Sequence, residues 1–75
     1  MVLRPFYQYV QKYRNPSAQH PTAVEELAEL IYLDGDFPKS STEFHQLSDY
    51  IELNSRYSHF VGTFDDVWKA YLNND

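Results

Sequence analysis

The segment in the middle of this chain, residues 43–53, has apolar side chains on two sides of a helix. At 3.6 residues per turn, three of them share one stripe, namely Phe44, Leu47 and Ile51. Tyr50 and Leu53 fall outside that stripe. Because a helix with one wet side needs only a single apolar stripe, this segment is predicted to be the central helix, with other helices packed on both flanks.

The residues just before this helix carry a signal for its start. Residues 40–43, Ser-Ser-Thr-Glu, have the spacing of a capping box, in which the Ser40 hydroxyl accepts a hydrogen bond from the Glu43 N–H. Asn54 is predicted to end the helix in the left-handed conformation. The apolar Phe37 in the preceding link is predicted to lie in the core. Ser40 is therefore interpreted as a helix cap and not as a nucleophile.

Similar signals predict three further helices, which gives predicted helices over residues 5–14, 22–34, 43–53 and from 63 onward. Thr22 and Glu25 have the spacing of a second capping box, and Gly35 is predicted to close that helix with a left-handed turn. Thr63 is predicted to cap the last helix. No segment shows the alternation of a strand. The sequence therefore predicts an all-α fold, a compact four-helix domain over residues 1–75.

The composition limits the class of protein further. A chain of 75 residues with 43% hydrophobic residues makes one domain with a single thin core. It has no cysteine, so neither disulfides nor thiolate metal sites are available to hold that core. The N-terminus lacks the apolar region of a signal peptide, and no apolar run approaches about 20 residues. We therefore expect a soluble cytoplasmic protein with no membrane partner.

The formal net charge of −5 is unevenly distributed along the chain. Residues 1–14 contain three bases and no acid: Arg4, Lys12 and Arg14. Residues 25–36 contain only acids among their charged groups: Glu25, Glu26, Glu29, Asp34 and Asp36. We predict that the two segments are neighbours in space and neutralise each other across a helix pair.

Short stretches along nearly the whole chain carry a family resemblance. They are Phe6-Tyr7-Gln8-Tyr9, Lys12-Tyr13-Arg14, Phe37-Pro38-Lys39-Ser40, Tyr50-Ile51-Glu52-Leu53-Asn54, and Thr63-Phe64-Asp65 followed by Trp68 and Tyr71-Leu72. In this order they resemble the YozE family of small bacterial proteins. The resemblance implies a four-helix fold similar to the sterile alpha motif domain and no established activity. Because sterile alpha motif domains include both protein binders and nucleic-acid binders, the resemblance does not choose between these functions.

The sequence gives little support to a catalytic or metal site. His45, Asp49 and Glu52 lie at positions i, i+4 and i+7 of the third helix and share its polar face. A zinc site usually needs a fourth group held by further partners, and no residue is indicated for that role, so we interpret this face as solvated. Glycine occurs only at positions 35 and 62, which excludes a phosphate-cradling loop. We expect no enzyme activity, no metal and no cofactor.

The aromatic content exceeds what so small a core is expected to bury. The chain has seven tyrosines, five phenylalanines and one tryptophan. The core is expected to take Phe6, Tyr9, Phe44, Phe64 and Trp68. Three tyrosines are expected to be partly exposed: Tyr7, Tyr32 and Tyr57. They either contribute to an interface, where tyrosine is enriched, or lie with the ring against the core and the hydroxyl in water.

Two functions remain open at this point. The first is a non-catalytic protein-interaction module, monomeric or weakly homo-oligomeric, with a candidate surface of Arg4, Tyr7, Lys12, Arg14, Tyr32, Lys39 and Tyr57. The alternative is a nucleic-acid-binding domain that uses the basic N-terminal helix with Lys39 and Arg56. Because phosphate binding needs clustered positive charge, six scattered bases in an acidic chain favour the protein partner.

Overall fold

A computed structural model describes residues 4–74 and contains four α-helices and two short 3-10 turns over that range. The elements are α1 (Phe6–Val10), a first 3-10 turn (Gln11–Tyr13), α2 (Ala23–Leu33), α3 (Phe44–Leu53), a second 3-10 turn (Ser55–Tyr57) and α4 (Val61–Asn74). These residues include no strand. The predicted all-α, four-helix architecture is therefore confirmed.

The last helix, α4, is the element on which the others pack. It contacts α1, α2 and α3, whereas α3 contacts mainly α4 and the second 3-10 turn. The prediction that α3 is central is therefore wrong. Leu47 and Ile51 are fully buried as predicted, but Leu53 is 86% exposed and Phe44 is 38% exposed. Outside the stripe, Leu53 faces solvent, whereas Tyr50 packs against the rings of Phe37 and Tyr57.

The core is built largely from aromatic rings around Phe6 of α1. Its ring centroid lies 5.4 Å from that of Phe64, 5.6 Å from that of Trp68 and 5.4 Å from that of Tyr71. The contacts with Phe64 and Tyr71 are edge-to-face, an arrangement that aromatic pairs prefer. The other buried core residues are Tyr9, Val10, Leu27, Ala28, Ile31, Phe37, Leu47, Ile51, Tyr57 and Val67. Of the predicted aromatic core, only Phe44 is not buried.

The capping box at Thr22 is formed as predicted. The Thr22 N–H donates to Glu25 Oε1 at 2.8 Å, and the Glu25 N–H donates to the Thr22 hydroxyl at 3.2 Å. Two of the N–H groups that the start of α2 leaves unpaired are thus satisfied. This cap fixes where α2 begins.

The predicted cap at Ser40 is wrong, because α3 begins at Phe44 with Glu43 as its N-terminal cap residue. Ser41, and not Ser40, accepts the Glu43 N–H, at 3.2 Å. The Ser41 carbonyl also accepts the Phe6 N–H at 3.2 Å. This tertiary hydrogen bond holds the buried Ser41 against the start of α1, and α3 begins only after it, at Phe44.

The predicted left-handed helix ends are also wrong. Neither glycine nor any other residue in the described range has a positive φ. Asp34 and Asn54 follow α2 and α3 in extended conformations, with φ of −88° and −107°. The Asn54 side chain instead caps the second 3-10 turn by accepting the Arg56 N–H at 3.0 Å. Both helices therefore end where the chain turns away to make another contact.

The outer helices also differ from their predicted bounds. α4 begins at Val61, two residues before the predicted cap at Thr63, and the Phe64 N–H donates to the Phe60 carbonyl at 2.7 Å. The first predicted helix is α-helical only to Val10 and then tightens into the 3-10 turn. Shifts of this size are ordinary at frayed helix ends.

Replacing Thr22 by alanine is expected to lower the free energy of unfolding by about 1 kcal/mol, because α2 loses its cap. Ser40→Ala is the matched control, since the exposed Ser40 hydroxyl has no hydrogen-bond partner among the described residues. Urea denaturation followed by circular dichroism measures both variants. An equal loss in the two would contradict the assignment of Thr22 as the cap.

Candidate functional site: an aromatic face on the first two helices

The segment from α1 through the first 3-10 turn packs against α2. Its end is tied to α2 by Arg14, whose Nε lies 2.8 Å from Glu29 Oε2 and whose second nitrogen lies 3.4 Å from Oε1. The guanidinium carbon lies 3.5 Å from the centroid of the Tyr32 ring. The hydrogen bond that Arg14 donates to Glu29 raises the pKa of Arg14. The predicted neutralisation between the basic first segment and the acidic second one is confirmed at this pair.

A second cation lies over a second ring at the other end of the same surface. Lys39 Nζ is 5.7 Å from the centroid of the Tyr7 ring, and the Tyr7 ring is 6.0 Å from the buried ring of Phe37. Gln11 lies between the two cations and donates from Nε2 to the Tyr7 carbonyl at 3.1 Å. Tyr7 and Gln11 are spaced at i and i+4 and lie on one side of the first segment, and Arg14 follows the 3-10 turn in an extended conformation.

The exposed apolar part of this surface comes from the end of α2. Tyr32 is 45% exposed and Leu33 is 69% exposed. They follow Glu29 by three and four residues, so they lie on the side of α2 that carries the ion pair with Arg14. We call this surface the α1–α2 face: Tyr7, Gln11, Arg14, Tyr32, Leu33 and Lys39.

The structure places four of the seven predicted surface residues in two cation–ring pairs, Arg14 with Tyr32 and Lys39 with Tyr7, and places the others elsewhere. Lys12 Nζ lies over a different ring, 4.2 Å from the centroid of Tyr9. Arg4 is exposed, and its carbonyl accepts a hydrogen bond from the Tyr71 hydroxyl of α4. The expectation that Tyr57 is exposed is wrong, because it is fully buried.

Tyr57 is buried because its hydroxyl has an internal acceptor, the carboxylate of Asp34. Asp34 Oδ2 accepts from the hydroxyl of Tyr57 at 2.8 Å and from that of Tyr50 at 2.5 Å. Oδ1 accepts the Asp36 N–H at 3.0 Å and lies 3.1 Å from a guanidinium nitrogen of Arg56. Asp34 is only 3% exposed. This cluster ties the end of α2 to α3 and to the second 3-10 turn.

The pKa values in this cluster follow from its geometry. Burial raises the pKa of the Asp34 carboxyl, but the hydrogen bonds from both tyrosines and from the Asp36 N–H, with the charge of Arg56, outweigh it and leave the pKa below its ordinary value. Burial, then the hydrogen bond and charge of Asp34, raise the pKa of Tyr50 to about 12 and also raise that of Tyr57. With donors on both oxygens, the carboxylate is a structural group and a poor general base.

The sequence predicted Asp34 as the end of the second helix and as one of the acids of that segment, and did not predict its buried cluster. One physical signal for this cluster was available. The negative charge of Asp34 lies at the C-terminal end of α2 and is repelled by the negative end of the helix dipole. A position that is unfavourable in isolation requires a cation or hydrogen-bond donors from elsewhere in the fold. Arg56 and the two tyrosines supply them here.

Stability is expected to fall at both ends of the pH scale. The lowered pKa of Asp34 stabilises the fold fully above the ordinary value of 3.8, and this contribution is lost as the pH falls through the folded value. The raised pKa of Tyr50 contributes fully below 10 and is lost as the pH rises towards about 12. Thermal unfolding at acid, neutral and alkaline pH measures both effects. If a Tyr50→Phe variant lost as much stability at alkaline pH as the wild type, the assignment of this loss to Tyr50 would be contradicted.

The polar face of α3 assembles no metal site. His45, Asp49 and Glu52 are all exposed. In the part of the chain that the structure describes, no three His, Cys, Asp or Glu side chains are grouped so that they could hold a metal ion. Over the same part, no helix is long and apolar enough to cross a membrane.

The helix order and the packing of the other helices on α4 define a small all-α domain of the sterile-alpha-motif-like class. The family described as YozE SAM-like fold matches residues 5–73, and the chain belongs to this family.

Its relatives match over nearly their whole length. The UPF0346 protein YozE of Bacillus subtilis is 42% identical over 69 residues, which cover 92% of this chain and 90% of the relative. A UPF0346 protein of Lactiplantibacillus plantarum is 44% identical over 69 residues, 92% of each chain. The solution NMR structure of the Bacillus subtilis YozE protein matches with a TM-score of 0.84 at 40% identity and covers 96% of this chain and 85% of that chain. The predicted family and fold are confirmed.

Proposed function

We propose that this chain is a non-catalytic protein-interaction module that binds a protein partner through the α1–α2 face. The observation that carries the proposal is the exposure of Tyr32 and Leu33 beside Arg14, which the Glu29 carboxylate holds with two contacts. Tyrosine and arginine are enriched among the residues that dominate binding energy at interfaces. Exposed apolar area next to fixed polar groups is the chemistry of such a surface.

The face is largely ordered before any partner arrives. Arg14 is held by both Glu29 and the Tyr32 ring, and Gln11 is held by the Tyr7 carbonyl. Ordering long side chains is one of the costs of association, so side chains already fixed in the free protein reduce that cost. This supports a rigid docking surface on a monomer or a weak homo-oligomer.

The charges of the molecule support a protein partner over a nucleic acid. Arg14 is paired with Glu29, and Arg56 with the buried Asp34. The charge of each guanidinium is already balanced by a carboxylate, in a chain whose net charge is −5, which disfavours phosphate binding at these residues. The lack of cysteine is compatible with a cytoplasmic location, which forms part of the proposal.

Affinity capture from a lysate of the native bacterium, with and without nuclease, tests the proposal. The bait variant Tyr32→Ala/Leu33→Ser removes the exposed apolar part of the face. The matched control is Glu52→Ala/Leu53→Ser, which changes two exposed neighbours at the corresponding end of α3. Thermal melting first establishes that both variants are folded.

We expect one or more proteins that are captured by the wild type and the control but lost more than about tenfold with the face variant, whether or not nuclease is present. Capture that disappears with nuclease would overturn the proposal in favour of nucleic-acid binding. Equal capture by both variants would show that the α1–α2 face is not the binding surface.

A further inference from the structure

A cleft lies between the loop that follows the first 3-10 turn, helix α2 and the residue before α4. The side chains that make it apolar are Pro16, Ala18, Pro21, Leu30 and Phe60. The prolines have fixed φ angles, which stiffens the loop side of the cleft. Leu30 and Phe60 pack against the core on their inner sides. The cleft therefore has an apolar base supported by the fold itself.

Carboxylates from α2 line the rim of this cleft. Glu25 accepts the Thr22 N–H at 2.8 Å and the Asn15 amide at 3.1 Å, and no cation pairs with it among the described residues. The hydrogen bond from the Thr22 backbone lowers the pKa of Glu25, so this group remains ionised. Glu26 is exposed and has no side-chain hydrogen bond or ion pair within the described part of the chain.

The third rim carboxylate, Glu29, is already paired with Arg14. The uncompensated negative charge therefore belongs to Glu25 and Glu26. It lies directly beside the apolar base formed by Leu30 and Phe60.

We propose that this cleft binds a lysine or arginine side chain of a partner protein together with an adjacent apolar residue. Such a side chain has an aliphatic stem and a cationic head, so the stem packs on Leu30 and Phe60 while the head reaches Glu25 and Glu26. The charge of the rim selects against acidic segments and against phosphate groups. The cleft differs in charge from the α1–α2 face and adds a second binding surface to the molecule.

The apolar base is what makes the site more than a charged patch. Exposed ion pairs contribute little by themselves, so a cation at the rim without an apolar neighbour binds weakly. An apolar residue without the cation leaves the carboxylates at the rim without a positively charged partner. The two features together define the occupant as a basic and apolar segment of protein.

An NMR titration of the isotope-labelled wild-type chain tests the proposal, at an ionic strength of about 10 mM, where the Debye length is about 30 Å. The probe is a blocked pentapeptide of sequence Gly-Leu-Arg-Lys-Gly. The comparison peptides are Gly-Leu-Glu-Glu-Gly, which reverses the charge, and Gly-Gly-Arg-Lys-Gly, which lacks the apolar anchor. The variant Glu26→Gln removes one rim charge, and Glu52→Gln on the exposed face of α3 is its matched control.

The expected result is a saturable change in the amide signals of Ala18, Leu30 and Phe60 with the first peptide and much weaker changes with the other two. Glu26→Gln is expected to weaken binding about two- to fivefold, and Glu52→Gln to leave it unchanged. Binding of the first peptide that persists in Tyr32→Ala/Leu33→Ser separates this site from the α1–α2 face, so either proposal can fail without the other.

Equal binding of the acidic peptide, changes confined to the α1–α2 face, or no saturable change would overturn the proposal. Signals at the cleft that shift with protein concentration in the absence of peptide would also overturn it, since the occupant would then be a second copy of the chain.

Discussion

The Asp34→Ala variant is expected to lose about 3 kcal/mol or more of unfolding free energy, because two tyrosine hydroxyls lose a charged acceptor and each such hydrogen bond contributes about 1.5–3 kcal/mol. Without the carboxylate, the hydroxyl of the fully buried Tyr57 has no acceptor and Arg56 has no anion. A domain stability of about 5–15 kcal/mol leaves little after such a loss. Urea denaturation monitored by circular dichroism measures the change.

Asp36→Ala is the matched control for this experiment. Asp36 is exposed and contributes only its backbone N–H to the cluster, which alanine retains. Its cost is expected to stay within about 0.5 kcal/mol. If Asp34→Ala unfolded at the same urea concentration as Asp36→Ala, the cluster would contribute nothing to stability.

The second large effect is expected from Phe6→Ala, which should cost about 3–5 kcal/mol because it leaves a cavity among packed rings. Phe6 is fully buried and contacts the rings of Phe64, Trp68 and Tyr71. It is therefore the main link between α1 and α4. Urea denaturation followed by the fluorescence of Trp68, the one tryptophan of the chain, reports directly on this region.

Leu53→Ala is the control for Phe6→Ala, since this leucine is 86% exposed and should change the stability by no more than about 0.5 kcal/mol. The Leu53→Ala variant also tests which side of α3 faces the core. A larger loss in Leu53→Ala than in Phe6→Ala would mean that the packing described here is wrong.

The helices and most of the core were predictable because their signals are local. Thr22 and Glu25 lie within one turn of each other, and Leu47 and Ile51 lie one turn apart, so their roles depend on few other residues. The start of α3 was not predictable in this way. It depends on the hydrogen bond between the Ser41 carbonyl and the Phe6 N–H, which joins residues far apart in the chain.

The residue types of the candidate site could be predicted, but which cation lies over which ring could not. Excess tyrosine and a basic first segment indicated Tyr7, Arg14, Tyr32 and Lys39, which the fold brings together as two cation–ring pairs. Whether a tyrosine is buried depends on whether the fold places a hydrogen-bond acceptor near its hydroxyl. Tyr57 is buried because Asp34, 23 residues earlier, meets its hydroxyl, and no local pattern predicts such a pairing.

The position of α4 in the chain has a consequence for folding during synthesis. Ribosomes add about 5–20 residues per second, and a domain generally folds as a unit. Here the residues of α1, α2 and α3 are made before the helix on which all three pack. Three of the rings that contact Phe6, those of Phe64, Trp68 and Tyr71, are made only with α4. The growing chain therefore cannot complete its core until α4 has been made.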